Sequence, residues 1–350
     1  MKTIKLQASA SYEIKIVDGL LHQCGELTAE IKERCSAVLV SDDVVCKIYG
    51  DAVKTSYEEA GFSISSFIFQ SGEASKNLGT VEKLLEFMAE QKITRSGLII
   101  ALGGGVVGDI AGFAAAIYLR GISYLQIPTT FLAAADSSVG GKTGINLKAG
   151  KNLTGSFNHP MAVFCDPETF KTLPKNVFND GLCEVIKYGC ISNRKLFDTL
   201  LYENIYYKLG DIIETSIIIK RDIVEQDEFD FNKRLMLNFG HTAGHAVEQL
   251  SNYTITHGRA VAIGMRIMAN VAGNSGPLLE LYNKYDIDSD CPFTAKELAE
   301  NALLDKKRKG NRITLVLLEK LGKAYLETIC IDELMDYFAR GLRRSDGRKD

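Results

Sequence analysis

Between residues 37 and 105, short apolar runs alternate with stretches whose apolar residues recur every three or four positions. AVLVSD (37–42), SSFIFQ (65–70) and GLIIALGGG (97–105) read as strands, and VCKIYGDAVKTSYEEAG (45–61) and NLGTVEKLLEFMAEQKI (77–93) read as helices. Near-continuous apolar strands separated by helices predict a parallel sheet covered by helices. From about residue 176 the pattern changes to long segments of three- and four-residue spacing, such as KLGDIIETSIIIKRDIVEQDE (208–228) and RAVAIGMRIMANVAGNSG (259–276), which predict a mostly α-helical half. The expected organisation is an α/β domain over 1–175 and a helical domain over 176–350, with no flexible linker and a shared cleft.

Composition narrows the class without naming it. The 350 residues, 46% hydrophobic and 24% charged, describe an ordinary globular chain long enough for two domains. A net charge of −3 gives no global attraction to nucleic acid or to an anionic membrane, so neither is expected as a partner. The basic end ARGLRRSDGRKD (339–350) reads as a solvated tail. Eight scattered cysteines with no CxxC pair suit reduced thiols, and MKTIKLQASASYEIKI has no apolar stretch for a signal peptide, so a cytoplasmic protein is expected. The most apolar region, GLIIALGGGVVGDIAGFAAAIYL (97–119), has five glycines within 103–112 and Asp109, which favours a packed α/β turn over a membrane span.

That region is also the first candidate for chemistry. Gly103, Gly104, Gly105 and Gly108 follow a strand and open a helix, where bare backbone N–H groups would approach a diphosphate. The run G-G-G-V-V-G meets the GxGxxG fingerprint only loosely, and tight strand–helix packing explains the same glycines. In DSSVGGKTGIN (136–146), Gly141-Lys142-Thr143 is similar to the end of a P-loop, but Asp136 occupies the position of its first glycine, and this excludes an NTPase. RLMLNFGHTAGHAVEQL (234–250) puts His241 and His245 four residues apart, on one helix face, with His257 following in TITHGRAV (254–261). Spacing alone leaves a metal site and a plain helix face both open.

Six separated blocks decide the comparison: SGEASK (71–76), GGGVVGDIAGFAAAIYLRG (103–121), IPTTFLAAADSSVGGKTGINLKAGKN (127–152), GLCEVIKYG (181–189), RLMLNFGHTAGHAVE (234–248) and HGRAVAIGM (257–265). Over nearly its whole length the chain resembles the 3-dehydroquinate synthase family of sugar-phosphate cyclases. The resemblance implies an N-terminal nucleotide-binding α/β domain and a mostly α-helical C-terminal domain, with the active site between them. It implies NAD and one divalent metal, zinc or cobalt. The implied substrate is a phosphorylated sugar acid, 3-deoxy-D-arabino-heptulosonate 7-phosphate. Transient oxidation, loss of phosphate, re-reduction and aldol closure would then give 3-dehydroquinate in the shikimate pathway.

Residue by residue, the family pattern makes Glu184, His241 and His257 the metal ligands and leaves His245 beside the substrate. One carboxylate and two imidazoles leave positions open, as a catalytic ion requires. The pattern also implies that Lys142, Lys151, Asn152, Lys187, Lys220, Arg234, Asn238 and Lys306 hold substrate oxygens and phosphate, with Arg120 reaching in from a neighbouring subunit of a homodimer. So many cations suit a ligand carrying both carboxylate and phosphate. NAD is expected along Asp42, Gly72, Glu73 and Lys76, then Gly104, Gly105, Val106, Val107, Gly108 and Asp109. Thr129, Thr130, Asp136, Lys142, Lys151, Thr169, Phe170, Lys171 and Thr172 complete that set, with Glu73 the natural ribose acceptor. His159, in GSFNHP (155–160), stands where the family carries glutamine, and a minor effect is expected. His22 has no motif around it and reads as structural.

Competing readings share parts of this pattern. Another sugar-phosphate cyclase would share the nucleotide turn, the metal and the HxxxH block. SSVGGKTGIN and the Lys220/Arg234 pair, which match the part that holds the acidic substrate, favour dehydroquinate synthase. A metal-dependent alcohol dehydrogenase of related fold would accumulate NADH. A non-catalytic binding protein on this scaffold would have lost a ligand or a cation, and none is missing.

Overall fold

The computed structural model describes residues 1–303 and 311–343, so Lys306 and the end of the basic tail lie outside the described residues. The chain forms two compact units. The first holds Met1–Pro174 together with Lys220–Phe229, and the second holds Lys175–Ile219 with the described residues from Asp230 onward.

The first unit is built on β1 (Lys2–Gln7), β2 (Ser11–Ile16), β3 (Ser36–Asp42), β4 (Ser63–Phe69), β5 (Leu98–Gly103), β6 (Ser123–Pro128) and β9 (Ala162–Cys165), with β7 (Lys142–Leu147) and β8 (Gly150–Phe157) forming a separate antiparallel hairpin. The sheet order is β1-β2-β9-β6-β5-β3-β4, antiparallel only between β1 and β2. Helices α1 (Cys24–Ala29), α2 (Asp43–Val45), α3 (Asp51–Glu59), α4 (Leu78–Glu90) and α5 (Gly105–Ile117) connect the strands. On β3, Val38 and Val40 join Ile99, Ala101, Val107 and Ile110 in one apolar cluster, while Ala37 and Leu39 join Val53, Tyr57, Ile100 and Leu102 in another. Both faces of the central strands are therefore covered, which is why their sequences are apolar at successive positions rather than at alternate ones.

The second unit contains α6 (Lys175–Ile191), α7 (Arg194–Tyr202), the start of α8 (Leu209–Val224), α9 (His241–Leu250), α10 (His257–Val271), α11 (Gly276–Tyr285), α12 (Ala295–Ala302) and α13 (Leu334–Leu342), with one ribbon, β10 (Arg312–Lys320) and β11 (Lys323–Cys330). From Gly181 to Ile191 every residue of α6 is buried, so α6 is a central helix rather than an amphipathic cover. α10 packs against α6, α9 and α13.

Residues 220–229, which fall in the helical half by sequence pattern, group with the first unit. Polar ties explain the difference. Gln7 N donates to Glu225 Oε1 (2.7 Å), Ser9 N donates to Glu228 Oε2 (2.9 Å), and Lys220 Nζ lies 2.5 Å from Asp136 Oδ1. Among the described residues no disulfide joins the cysteines. Among the described residues no helix is long and apolar enough to cross a membrane, and the apolar region 97–119 is a buried strand, a turn and α5.

Candidate active site

The second unit brings Glu184, His241 and His257 together from three helices. Glu184 sits within buried α6, and His241 and His257 are the first residues of α9 and α10. One ligand atom from each lies within 4.8 Å of the others. The Nε2 atoms of His241 and His257 stand 3.4 and 3.3 Å from Glu184 Oε1, too long for good N–H···O hydrogen bonds, and the buried carboxylate oxygens make none of sound geometry. Two donor atoms bonded at about 2.0–2.1 Å to one tetrahedral ion stand about 3.3 Å apart, so these separations fit a divalent ion.

The outer shell fixes which nitrogen is available. His241 Nδ1 donates to the Phe239 carbonyl (3.2 Å) and His257 Nδ1 to Glu248 Oε2 (3.1 Å), which turns both Nε2 atoms toward Glu184. Lys187, one turn on from Glu184, lies buried against its other oxygen. Burial pushes the Glu184 carboxyl up, but Lys187 and His241 outweigh it and hold the group well below the ordinary range. Burial takes His241 down to about 4. Burial also opposes charge on His257, yet Glu184 and Glu248 raise its pKa to about 10. An arriving ion would therefore displace a proton from His257, because a ligating nitrogen carries none.

Glycines set the approach of the three helices. A Cβ on Gly264 of α10 would lie 1.9 Å from the carbonyl oxygen of Gly240, the residue before His241, and one on Gly244 would lie 2.9 Å from Ala260 O. A Cβ on Gly258 would lie 2.3 Å from Asp180 Cα in α6, and Thr256 Oγ1 donates to Asp180 Oδ1 (2.6 Å) at the entry to α10. Backbone contact at these crossings is what delivers Glu184, His241 and His257 to one point. His245, one turn into α9, is half-buried with its ring 5.4 Å from that of His241. Arg234 is buried in the 3-10 turn Lys233–Asn238, which ends at Asn238 and packs against α6.

The first unit carries the glycine turn. Gly104 precedes α5 as its N-cap, and a Cβ there would lie 3.0 Å from Thr130 Cγ2. On Gly108 it would lie 2.7 Å from Gln126 Oε1 of β6. Val107 is buried, Val106 half-buried, and Thr129 Oγ1 is buried without a hydrogen-bond partner beside this turn. Lys76, buried, pairs with Asp109 in the first turns of α5 and donates to Asn152 Oδ1 (2.6 Å). Burial raises the Asp109 carboxyl against the pull of Lys76. Gly72 (φ 108°) and exposed Glu73 lie on the loop that leads to Lys76. The orphaned Thr129 hydroxyl and the Cβ-free helix start fit a dinucleotide phosphate.

The other expected residues spread around this unit. Asp42 caps α2, accepting from Val44 N and Val45 N. Buried Thr169 and Phe170 and exposed Lys171 and Thr172 share one 3-10 turn, tied to Tyr49 Oη. Lys142 is exposed on β7 and Lys151 half-buried on β8. Lys220 Nζ holds both the side chain and the carbonyl of Asp136. Arg120 is exposed in a left-handed pair with Leu119 (φ 69° and 50°), ahead of Gly121.

Family models described as 3-dehydroquinate synthase N-terminal and C-terminal match residues 66–180 and 181–308. The chain belongs to the 3-dehydroquinate synthase family. A 3-dehydroquinate synthase of Streptococcus gordonii is 42% identical over 344 residues, covering 94% of this chain and 97% of its own. One from Clostridium acetobutylicum is 41% identical over 356 residues, covering 96% and 99%. Among solved structures, a 2-deoxy-scyllo-inosose synthase complexed with carbaglucose-6-phosphate, NAD+ and Co2+ superposes with a TM-score of 0.85 at 27% identity, covering 96% of this chain and 99% of that one.

For a chain of this family, some features at the site escaped sequence reasoning. Glu248, which orients His257, reads in the sequence as an ordinary acid on a helix. Asn146 bonds both Glu73 and Asn152. The His159 side chain is buried, with Nε2 2.9 Å from Glu228 Oε1 and its ring against the Cβ position of Gly141, so it fills a structural place next to Lys142. His22 is exposed at the end of a short 3-10 turn.

Proposed function

We propose that this chain is a lyase that converts 3-deoxy-D-arabino-heptulosonate 7-phosphate into 3-dehydroquinate and phosphate. The reading is carried by Glu184, His241 and His257 converging at ion-ligand spacing in a chain of this family. When bound, NAD would accept a hydride from the carbon bearing a substrate hydroxyl and later return it, while a zinc or cobalt ion held by Glu184, His241 and His257 would polarise that hydroxyl. Lys142, Lys151, Asn152, Lys187, Lys220, Arg234, Asn238 and Lys306 are assigned to the carboxylate, hydroxyls and phosphate of the substrate, with Arg120 from a second subunit. Fixing both anionic ends orients the ring, so that the departing phosphate remains matched by cations as its C–O bond breaks. His245, beside the metal ligands, is assigned to hold a proton at the substrate. Return of the hydride leaves no net redox change, and loss of phosphate breaks a C–O bond, so the overall reaction is that of a carbon–oxygen lyase.

The nucleotide is assigned to Asp42, Gly72–Lys76, Gly104–Asp109, Thr129, Thr130, Asp136, Lys142, Lys151 and Thr169–Thr172. Eight thiols outside disulfides suit a reducing, cytoplasmic setting, and the Arg120 assignment calls for a homodimer, which light scattering tests. Supplying the heptulosonate phosphate with NAD+ and Zn2+ or Co2+ tests the activity. One equivalent of phosphate per substrate, 3-dehydroquinate by NMR and no accumulating NADH are expected. NADH rising in proportion to substrate consumed makes the chain a dehydrogenase instead.

A further inference from the structure

We infer that Asn146 is a positioning residue that couples the nucleotide loop to the β7–β8 hairpin, making the affinities for nucleotide and substrate depend on each other. The inference rests on the functional reading above, which assigns Glu73 to the nucleotide and Asn152 to the substrate.

The hairpin is irregular at this residue. Pairing runs from Lys142–Phe157 to Ile145–Thr154, then shifts so that Leu147 faces Gly150, leaving Asn146 at a bulge. A bulge re-aims the side chain it carries, and here the backbone N–H and both side-chain polar atoms of Asn146 find partners. Its backbone N donates to Lys76 O (2.8 Å) and its Nδ2 donates to Glu73 Oε1 (2.7 Å). Its Oδ1 accepts from Asn152 N (2.9 Å), and Lys76 Nζ donates to Asn152 Oδ1 (2.6 Å), which closes a ring through Lys76, Asn152, Asn146 and Glu73. The ring needs a donor and an acceptor on one short side chain, which an amide supplies and neither a carboxylate nor an aliphatic group does.

The ring also holds Asn152 in a costly conformation. Asn152 has φ 52°, in the left-handed region, and its N–H is the group that Asn146 Oδ1 accepts. Ribose hydroxyls arriving at Glu73 would compete with Asn146 Nδ2 for the same carboxylate oxygens. Reorientation of the Asn146 amide would then loosen the bond that sets Asn152. By linkage, a substrate that fixes Asn152 must alter nucleotide affinity by the same factor.

The experiment measures the dissociation constant of NAD+ by calorimetry, with and without a saturating phosphonate analogue of the heptulosonate phosphate, and the reciprocal pair. In the wild-type protein the analogue should change NAD+ affinity by about tenfold, within the usual range of coupling between sites. Asn146→Ala should bring that ratio to within about twofold of unity, while each ligand alone stays within about threefold of its wild-type affinity. Asn146→Asp keeps the acceptor for Asn152 but sets a carboxylate against Glu73. It should lose the ratio as well, and it carries the test should the alanine variant fail to fold. A purely structural role would weaken both ligands alike and leave the ratio intact, and that result overturns the inference. A wild-type ratio of one also overturns it, with the functional reading untouched. Wild-type protein that binds no NAD+ sinks the functional reading and the inference together.

Discussion

Replacing Gly264 by alanine tests whether backbone contact between α9 and α10 builds the metal site. The added Cβ would sit 1.9 Å from Gly240 O, 2.8 Å from Gly240 C and 2.8 Å from Gly244 N, all backbone atoms that no rotamer change can clear. Reaching even 3.0 Å from that oxygen needs a separation of 3.0 − 1.9 = 1.1 Å. His241 follows Gly240 directly, and ligand distances must hold to about 0.2 Å, so a shift of this size unseats one ligand from the other two. Overpacking costs about 1–3 kcal/mol, while the better helix propensity of alanine returns about 1 kcal/mol. The expected net loss of stability is then about 0–2 kcal/mol by urea denaturation of the metal-free protein. Zinc affinity, measured by competition with a chromophoric chelator, should fall at least about tenfold, or 1.4 kcal/mol. Gly210→Ala is the control. It lies in α8 with nothing within 4 Å of its Cβ position and should leave zinc affinity unchanged. Wild-type stability together with wild-type zinc affinity in Gly264→Ala would refute the reasoning.

Other consequences are as direct. Glu248→Gln removes the charge behind His257 while leaving an oxygen to accept from its Nδ1, so zinc affinity should drop about 10–100-fold, with the fold intact by circular dichroism; unchanged zinc affinity would count against a role for that charge. Chelation should abolish turnover and Zn2+ or Co2+ should restore it, while His257→Ala should lose metal by elemental analysis without unfolding; full turnover of verified metal-free protein would remove the ion from the mechanism. Burial pushes the Cys24 thiol from 9.0 up to about 12. A raised folded pKa means stability complete below about pH 9 and lost as pH climbs toward about 12. The urea midpoint should therefore be lower at pH 10 than at pH 7, and Cys24→Ala should flatten that slope.

The sheet was legible because its strands are covered on both faces. AVLVSD and LIIALG are apolar at successive positions, and they became β3 and β5. Four-residue spacing found α9, yet that same spacing pairs His241 with His245. The third ligand lies sixteen residues beyond His241 and the carboxylate lies on α6, so only the family resemblance supplied the full triad. What stayed hidden depends on contacts distant in sequence. Residues 220–229 have a helical period but answer to Gln7, Ser9 and Asp136. The β10–β11 ribbon lies in a half that reads as helical, and the bulge at Asn146 falls in a glycine-rich polar stretch with no periodicity to break.

The position of the ligands on their helices explains why so many groups attend one carboxylate. His241 and His257 open α9 and α10, whose N-terminal ends carry partial positive charge. Lys187 adds a full one against Glu184. These charges stabilise a buried Glu184 in the metal-free protein, but each also repels a divalent cation. Glu248 offsets them from behind His257, and with Glu184 it supplies two negative charges close to the ion's place. On this argument Glu248 acts through charge as well as through orientation. Glu248→Gln keeps an oxygen to accept from His257 Nδ1 and removes only the charge, so the part of the lost zinc affinity that persists when the hydrogen bond is retained measures the electrostatic share.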